Sequence, residues 1–252
     1  MQLKKLVLPS LFCFALFGFS QGSLAAQNTE VGVWHTWHPK TVIPVETAKP
    51  ETPQPKPKPV ADNRLRPYDP VKDAAPKEPM AIKETNFQFR ETLLVRPKTD
   101  TIVIHHVGIP DGDTSAAAIH RAHLANGWAG IGYHYVIRKD GTIERGRPLA
   151  TVGAHAEGQN YHTVGINVTG NFQKEIPTKA QIQSLEDLVF WLCKTYDLQP
   201  GPKTIVGHRD ENSTDCPGEN LYRLLPQIRR DVAADFVKEK MEKVKENLDS
   251  KK

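Results

Sequence analysis

Two histidines end a β-branched run, Thr101-Ile102-Val103-Ile104-His105-His106. Far along the chain a second apolar run, Ile205-Val206, leads through Gly207 to His208, and Cys216-Pro217-Gly218 follows. Strand ends are stiff platforms, and loops leaving them can converge on one point. Two imidazoles and one thiolate are three zinc donors. A structural zinc centre closes with four protein ligands, whereas a catalytic one keeps its fourth position open. Zinc held in that way lowers the pKa of water from about 15.7 to about 7 and polarises a carbonyl, which suits hydrolysis of an unactivated amide. Spacing alone leaves alternatives open: a Cys193–Cys216 disulfide, or histidines that are merely satisfied within the fold.

The elements that must position these groups are legible from periodicity. Thr101–Ile104 reads as a buried strand. Ser115–Asn126 reads as a helix with Asp113, Thr114 or Ser115 as N-cap. Tyr133–Arg138 and Thr142–Arg145 flank Asp140-Gly141, which predicts a hairpin with a type I′ turn. Val164–Thr169 and Thr204–Val206 are further strands. Thr178 and Gln181 form a capping box. The helix that follows places Ile182, Leu185, Val189, Leu192 and Tyr196 on one face, with Cys193 beside that stripe as core. Leu221 onward is helical, bent or interrupted at Pro226. Strands alternate with helices, so the expected class is α/β, a mixed central sheet flanked by helices. One domain spans 95–230.

The remainder has a different composition. Lys4 and Lys5 precede the apolar run Leu6–Phe19 and the small residues Ser23-Leu24-Ala25-Ala26. That pattern predicts a signal peptide over 1–26, in which Cys13 is lost; Phe12 before it argues against a lipid-modified cysteine. Nine of the 20 prolines lie between Pro50 and Pro79, so 27–94 is expected to be a Pro/Lys-rich spacer, largely disordered. Trp34-His35-Thr36-Trp37-His38 sits on that arm. The tail 231–252 carries a narrow stripe, Val237, Met241, Val244 and Leu248, on a charged helix. The chain of 252 residues has a formal charge of +4. Residues 1–95 hold 12 basic and 9 acidic groups, 96–230 hold 15 and 14, and the tail holds 6 and 6. The basic excess therefore belongs mostly to the arm and argues for no nucleic-acid partner. A mean hydropathy of -0.48 argues against an integral membrane protein.

The stretch Thr101–Arg230 resembles the zinc-dependent N-acetylmuramoyl-L-alanine amidases, a family that includes amidase-type phage lysozymes and peptidoglycan recognition proteins. The residues that carry the resemblance fall in the family's order. They are Ile102–His106, His123–Tyr135, Asp140–Glu144 with Gly146-Arg147, Val152–Ala156, Val164–Ile166, Gly170–Phe172 and Gly207–Gly218. The step of eight from His208 to Cys216 matches the family's ligand spacing.

The resemblance implies that His105, His208 and Cys216 bind Zn2+. His105 is preferred to His106 because relatives place the ligand directly after the apolar run, and only one of two adjacent strand residues can face it. It implies catalytic roles for Tyr133, Thr214 and His155. Thr214 stands where some relatives carry lysine, and His155 is either a proton-transfer or a structural residue. His123 and His134 read as packing. Arg147 and Trp128 are the candidate substrate contacts, although Pro148 departs from the recognition-protein pattern and Trp128 also reads as core. The implied function is an exported peptidoglycan amidase that cuts the bond between N-acetylmuramic acid and L-alanine of the stem peptide, in the periplasm or outside the cell. The partner is then peptidoglycan or muropeptides, with no stable membrane insertion after signal cleavage. A recognition module that binds without cutting is the alternative, and the presence of Cys216 favours catalysis.

Overall fold

The structure, a computed structural model, describes residues 65–109 and 112–250. The expected signal segment, Cys13, the Trp34–His38 cluster and the first part of the spacer lie outside the described residues. Six strands form one mixed sheet: β1 (Ile82–Lys83), β2 (Thr101–His106), β3 (Tyr135–Ile137), β4 (Ile143–Arg145), β5 (Thr163–Val168) and β6 (Ile205–Gly207). Their order is β1-β4-β3-β5-β2-β6, antiparallel only between β3 and β4. The β-branched and aliphatic residues of β2 and β5 are buried on both faces, as the centre of a parallel sheet requires.

The two faces carry different cores. Ile102, Ile104, Val164, Ile166, Val168, Tyr135 and Ile137 pack on α2 (Lys179–Thr195) and the first turns of α5 (Leu225–Asp249). Val136 packs on the opposite face against Ala116 and Ile119 of α1 (Ala116–Ala125). Alternation along β2 puts His105 on this second face. Ser115 caps α1, and Thr178 and Gln181 close the expected capping box on α2.

Three expectations change. First, Asp140-Gly141 does not form a type I′ turn, which needs positive φ at both central residues. Gly141 has φ 88° and Asp140 does not share it. Gly141 N–H donates to Arg138 O and Arg138 N–H to Thr142 O, at 2.9 Å each. The connection is thus a three-residue loop with glycine in the left-handed position. Second, residues 65–94 are not free spacer. β1 extends the sheet beside β4, Val95 N–H donates to Arg66 O at 2.9 Å, and Tyr135 donates its hydroxyl to Glu78 at 2.6 Å. Apolar residues scattered among the prolines explain this: Met80 and Ile82 join one core, and Phe87 and Phe89 join the other. Proline is tolerated along such an edge because no ladder needs its N–H. Third, the border at 230 falls inside α5, which runs unbroken from Leu225 to Asp249 with Pro226 in its first turn. The predicted interruption lies before Pro226, between α4 (Glu219–Tyr222) and α5.

Candidate metal centre

β2 and β6 are neighbours, with Ile104 in register with Gly207. His105 therefore leaves the sheet beside His208, the first residue of the short helix α3 (His208–Glu211). Arg209 N–H donates to Cys216 O at 2.8 Å and folds the following loop back. The backbone N–H of His106 donates to Cys216 Sγ at 3.4 Å, fixing the sulfur over the end of β2. The result is one cluster. The ligand atoms of His105, His208 and Cys216 all lie within 4.8 Å of one another, with Cys216 Sγ 3.7 Å from His105 Nδ1. Cys193 and Cys216 are both free, so the disulfide alternative does not hold.

Hydrogen bonds fix which imidazole nitrogen is available. Thr163 donates its hydroxyl to Gln159 O at 2.9 Å, so its oxygen accepts from His155 Nε2–H at 3.4 Å. Burial pushes the His155 imidazole down to about 3, so the ring is neutral and its Nδ1 is an acceptor. His105 Nε2–H donates to it at 3.0 Å, leaving the His105 Nδ1 lone pair facing Cys216. Asn212 plays the same part for His208. Its Nδ2 donates to Glu157 O at 3.1 Å, and its Oδ1 accepts from His208 Nε2–H at 3.1 Å. Partners of this kind set the tautomer and ring plane of ligand histidines.

Burial holds His105 well below the ordinary imidazole range, and the neighbouring His155 and His208 add to it. The ring stays neutral, as a ligand must. Burial also pushes the Cys216 thiol up to about 12, against the His106 N–H and Arg209, which favour the thiolate. A divalent cation beside the sulfur reverses that cost. Two imidazole nitrogens and one sulfur, presented together from stiff elements, fit zinc and do not fit oxygen-seeking magnesium or calcium.

The other expected residues separate into distinct positions. The Tyr133 ring lies 5.0 Å from that of His105. Burial, with Cys216 second, raises its phenol above the ordinary range, so it remains a donor. Thr214 is exposed on the loop, and its Oγ1 accepts Cys216 N–H at 3.2 Å. His155 has both ring nitrogens engaged, Nδ1 with His105 and Nε2 with Thr163. His106 faces away from the cluster and accepts Phe172 N–H at Nδ1, 3.1 Å. His123 Nδ1 accepts Gly132 N–H and His134 Nδ1 accepts Gly165 N–H, both as packing residues. Arg147 lines the same groove as Trp128 and Tyr161, held there by backbone carbonyls. It is 6% exposed, and its Nε and Nη1 donate to the carbonyls of Ile131 and Val152. Trp128 is not core: it is 49% exposed beside His123.

Trp128 lines a groove of about 390 Å³ with Leu93, Ala154 and Tyr161, running past the residues that precede His155. A larger cavity of about 640 Å³, between residues 68–89 and 145–149, contains none of the cluster. Sequence reasoning missed Asn212, whose only sequence signal is its place four residues after His208, one helical turn. It also missed Asn167, in register with His105 on β5 and on the same face. Both amide atoms of Asn167 are buried with no hydrogen-bond partner.

Residues 96–219 match the family described as N-acetylmuramoyl-L-alanine amidase. The endolysin of Escherichia phage T7 is 31% identical over 134 residues, covering 51% of this chain and 86% of the phage protein. Among solved structures, the N-acetylmuramoyl-L-alanine amidase LysC of Clostridium intestinale superposes with a TM-score of 0.52 at 39% identity, over 56% of this chain and 91% of that one. Peptidoglycan recognition protein-LE, solved with tracheal cytotoxin, a monomeric diaminopimelic acid-type peptidoglycan, superposes with a TM-score of 0.52 at 26% identity, over 58% of this chain and 93% of that one. With the sheet order, the strand-end cluster and these relatives in agreement, the chain belongs to the N-acetylmuramoyl-L-alanine amidase family.

Proposed function

We propose that this protein is an exported, zinc-dependent peptidoglycan amidase that hydrolyses the amide between the lactyl group of N-acetylmuramic acid and L-alanine of the stem peptide. The observation that carries the proposal is the convergence of His105, His208 and Cys216. His105 sits at the carboxyl end of β2 and His208 directly after β6, with Cys216 folded back to them from the loop after α3, at the edge where ligands of open α/β sheets bind. His105 through Nδ1, His208 through its remaining nitrogen and Cys216 through Sγ would hold the metal. When bound, zinc supplies Lewis acidity: it lowers the pKa of water and polarises a carbonyl oxygen.

The chain's own groups do the rest. His155 and Asn212 keep both imidazoles in the ligand tautomer. Tyr133, protonated beside His105, donates to the oxyanion that develops on the scissile carbonyl. The Thr214 hydroxyl, which accepts Cys216 N–H, keeps its own proton for a neutral hydrogen bond. The groove past Trp128 and Tyr161 gives glycan or peptide an apolar wall. The charged, then apolar, then small-residue pattern of 1–26 fits delivery to the wall.

The test is digestion of purified wall by the wild type, Cys216→Ala and Tyr133→Phe, with products read by mass spectrometry. The wild type should release peptides with free L-alanine amino termini. Cys216→Ala should release none, and Tyr133→Phe should be slowed by roughly 10²–10³-fold, the usual cost of one oxyanion donor. A wild type holding stoichiometric zinc that releases no such termini would leave only wall recognition.

A further inference from the structure

The last turns of α5 stand exposed. Leu225, Ile228 and Val232 are buried, Phe236 packs edge-on against Phe190 at 4.9 Å, and Glu239 pairs with Lys194 and Lys243 at 2.7 Å each. Residues 241–250 are exposed throughout, yet the helix continues to Asp249. A helical stretch this short is marginal in water without tertiary support.

Its outer face is patterned. Val237, Met241, Val244 and Leu248 are 59%, 67%, 52% and 60% exposed. Their spacing of four, three and four is a d-a-d-a heptad seam. At about 100° per residue the four cover an arc of about 60°. A strict a/d stripe of that width is a coiled-coil seam, whereas helices lying on membranes present a broader apolar face.

The positions flanking the seam select the partner. The e and g places are Lys238, Lys240, Lys245 and Asn247, while Glu239, Glu242 and Glu246 fall outside them. Among the described residues no carboxylate pairs with Lys238, Lys240 or Lys245. A second copy is a poor occupant. Side by side in parallel, Lys240 would face Lys245 of the second copy, and antiparallel, Lys238 would face Lys245. Like charges across these positions set partner choice by repulsion.

We propose that the C-terminal turns of α5 dock a partner helix whose own apolar seam is flanked by glutamate or aspartate, forming a short heterotypic coiled coil. This reading is independent of the amidase reading. The experiment uses the full chain and two synthetic three-heptad peptides with identical Leu/Ile seams, one with glutamate and one with lysine at e and g. Binding is followed by fluorescence anisotropy. The glutamate peptide should bind at least about ten-fold tighter, and its affinity should fall several-fold from about 50 to 300 mM salt as the Debye length shrinks. Lys240→Glu with Lys245→Glu should invert the preference. Met241→Asp with Val244→Asp should abolish binding while leaving the domain's Tm and wall digestion unchanged. Equal binding of both peptides, or saturable binding of neither, overturns the proposal. So does a wild-type dimer that Met241→Asp breaks, or capture by phosphatidylglycerol vesicles that displaces the glutamate peptide.

Discussion

Acid should unfold the metal-free protein unusually early, and the cause is its buried imidazoles. Burial lowers His105 and His134 well below the ordinary value, His106 and His123 to about 4, and His155 to about 3. These rings stay neutral in the fold and take up protons near pH 6.5 once unfolded. The unfolded chain therefore binds more protons between about pH 6.5 and 4, and stability falls as pH falls through that window. A ring held well below 5 costs about 1.4 kcal/mol by pH 5.5, so several together remove a large share of the stability there. A domain has only about 5–15 kcal/mol to lose. Circular dichroism of the chelator-treated chain, titrated from pH 8 to 4, should show one cooperative transition centred near pH 5. Saturating zinc should move the transition to lower pH, since a bound metal competes with protons for the ligands. A metal-free chain that keeps its full stability at pH 4.5 would refute the reasoning, because the rings could not then be both buried and neutral.

Three further outcomes follow from the geometry. His155→Ala should weaken zinc binding by roughly 10–100-fold in competition with a chromophoric chelator, because the His105 ring loses the acceptor that sets its tautomer. Asn167→Val removes two buried amide atoms that have no partner. It should raise Tm by several degrees in calorimetry, from a relief of about 1–3 kcal/mol. Gly132→Ala should sharply lower Tm and soluble yield, because a Cβ there would lie 1.9 Å from Ala154 O, a backbone atom that cannot rotate away.

Much of this architecture was open to reading from residue types. Thr101–Ile104 could only be a buried strand, and the Thr178/Gln181 box marked the start of α2 to the residue. The cluster was legible as three donors at the ends of apolar runs, although parity along β2 said only that His105 and His106 face opposite ways. The face itself is set by where α1 and α2 pack, which is tertiary information. Residues 65–94 were misread because proline density dominates their composition, while what holds them is a few apolar side chains and pairing with a strand about sixty positions later. How Arg147 is held was not legible for a related reason. A guanidinium suggests a surface role, and only the fold reveals two backbone carbonyls waiting for it.

β6 is an edge strand of three residues whose neighbour in the sheet is β2, with Arg229 of α5 donating to Ile205 O at 2.8 Å. A strand this short is held by few backbone bonds of its own. Metal held between His105 on β2 and His208 with Cys216 beyond β6 would act as a rivet through that seam. It would tie the last strand to the interior across a loop of more than a hundred residues, as a disulfide would, but reversibly. Metal content would then govern more than chemistry. It would set how often the sheet's final strand lifts away, and with it how long the chain survives among proteases.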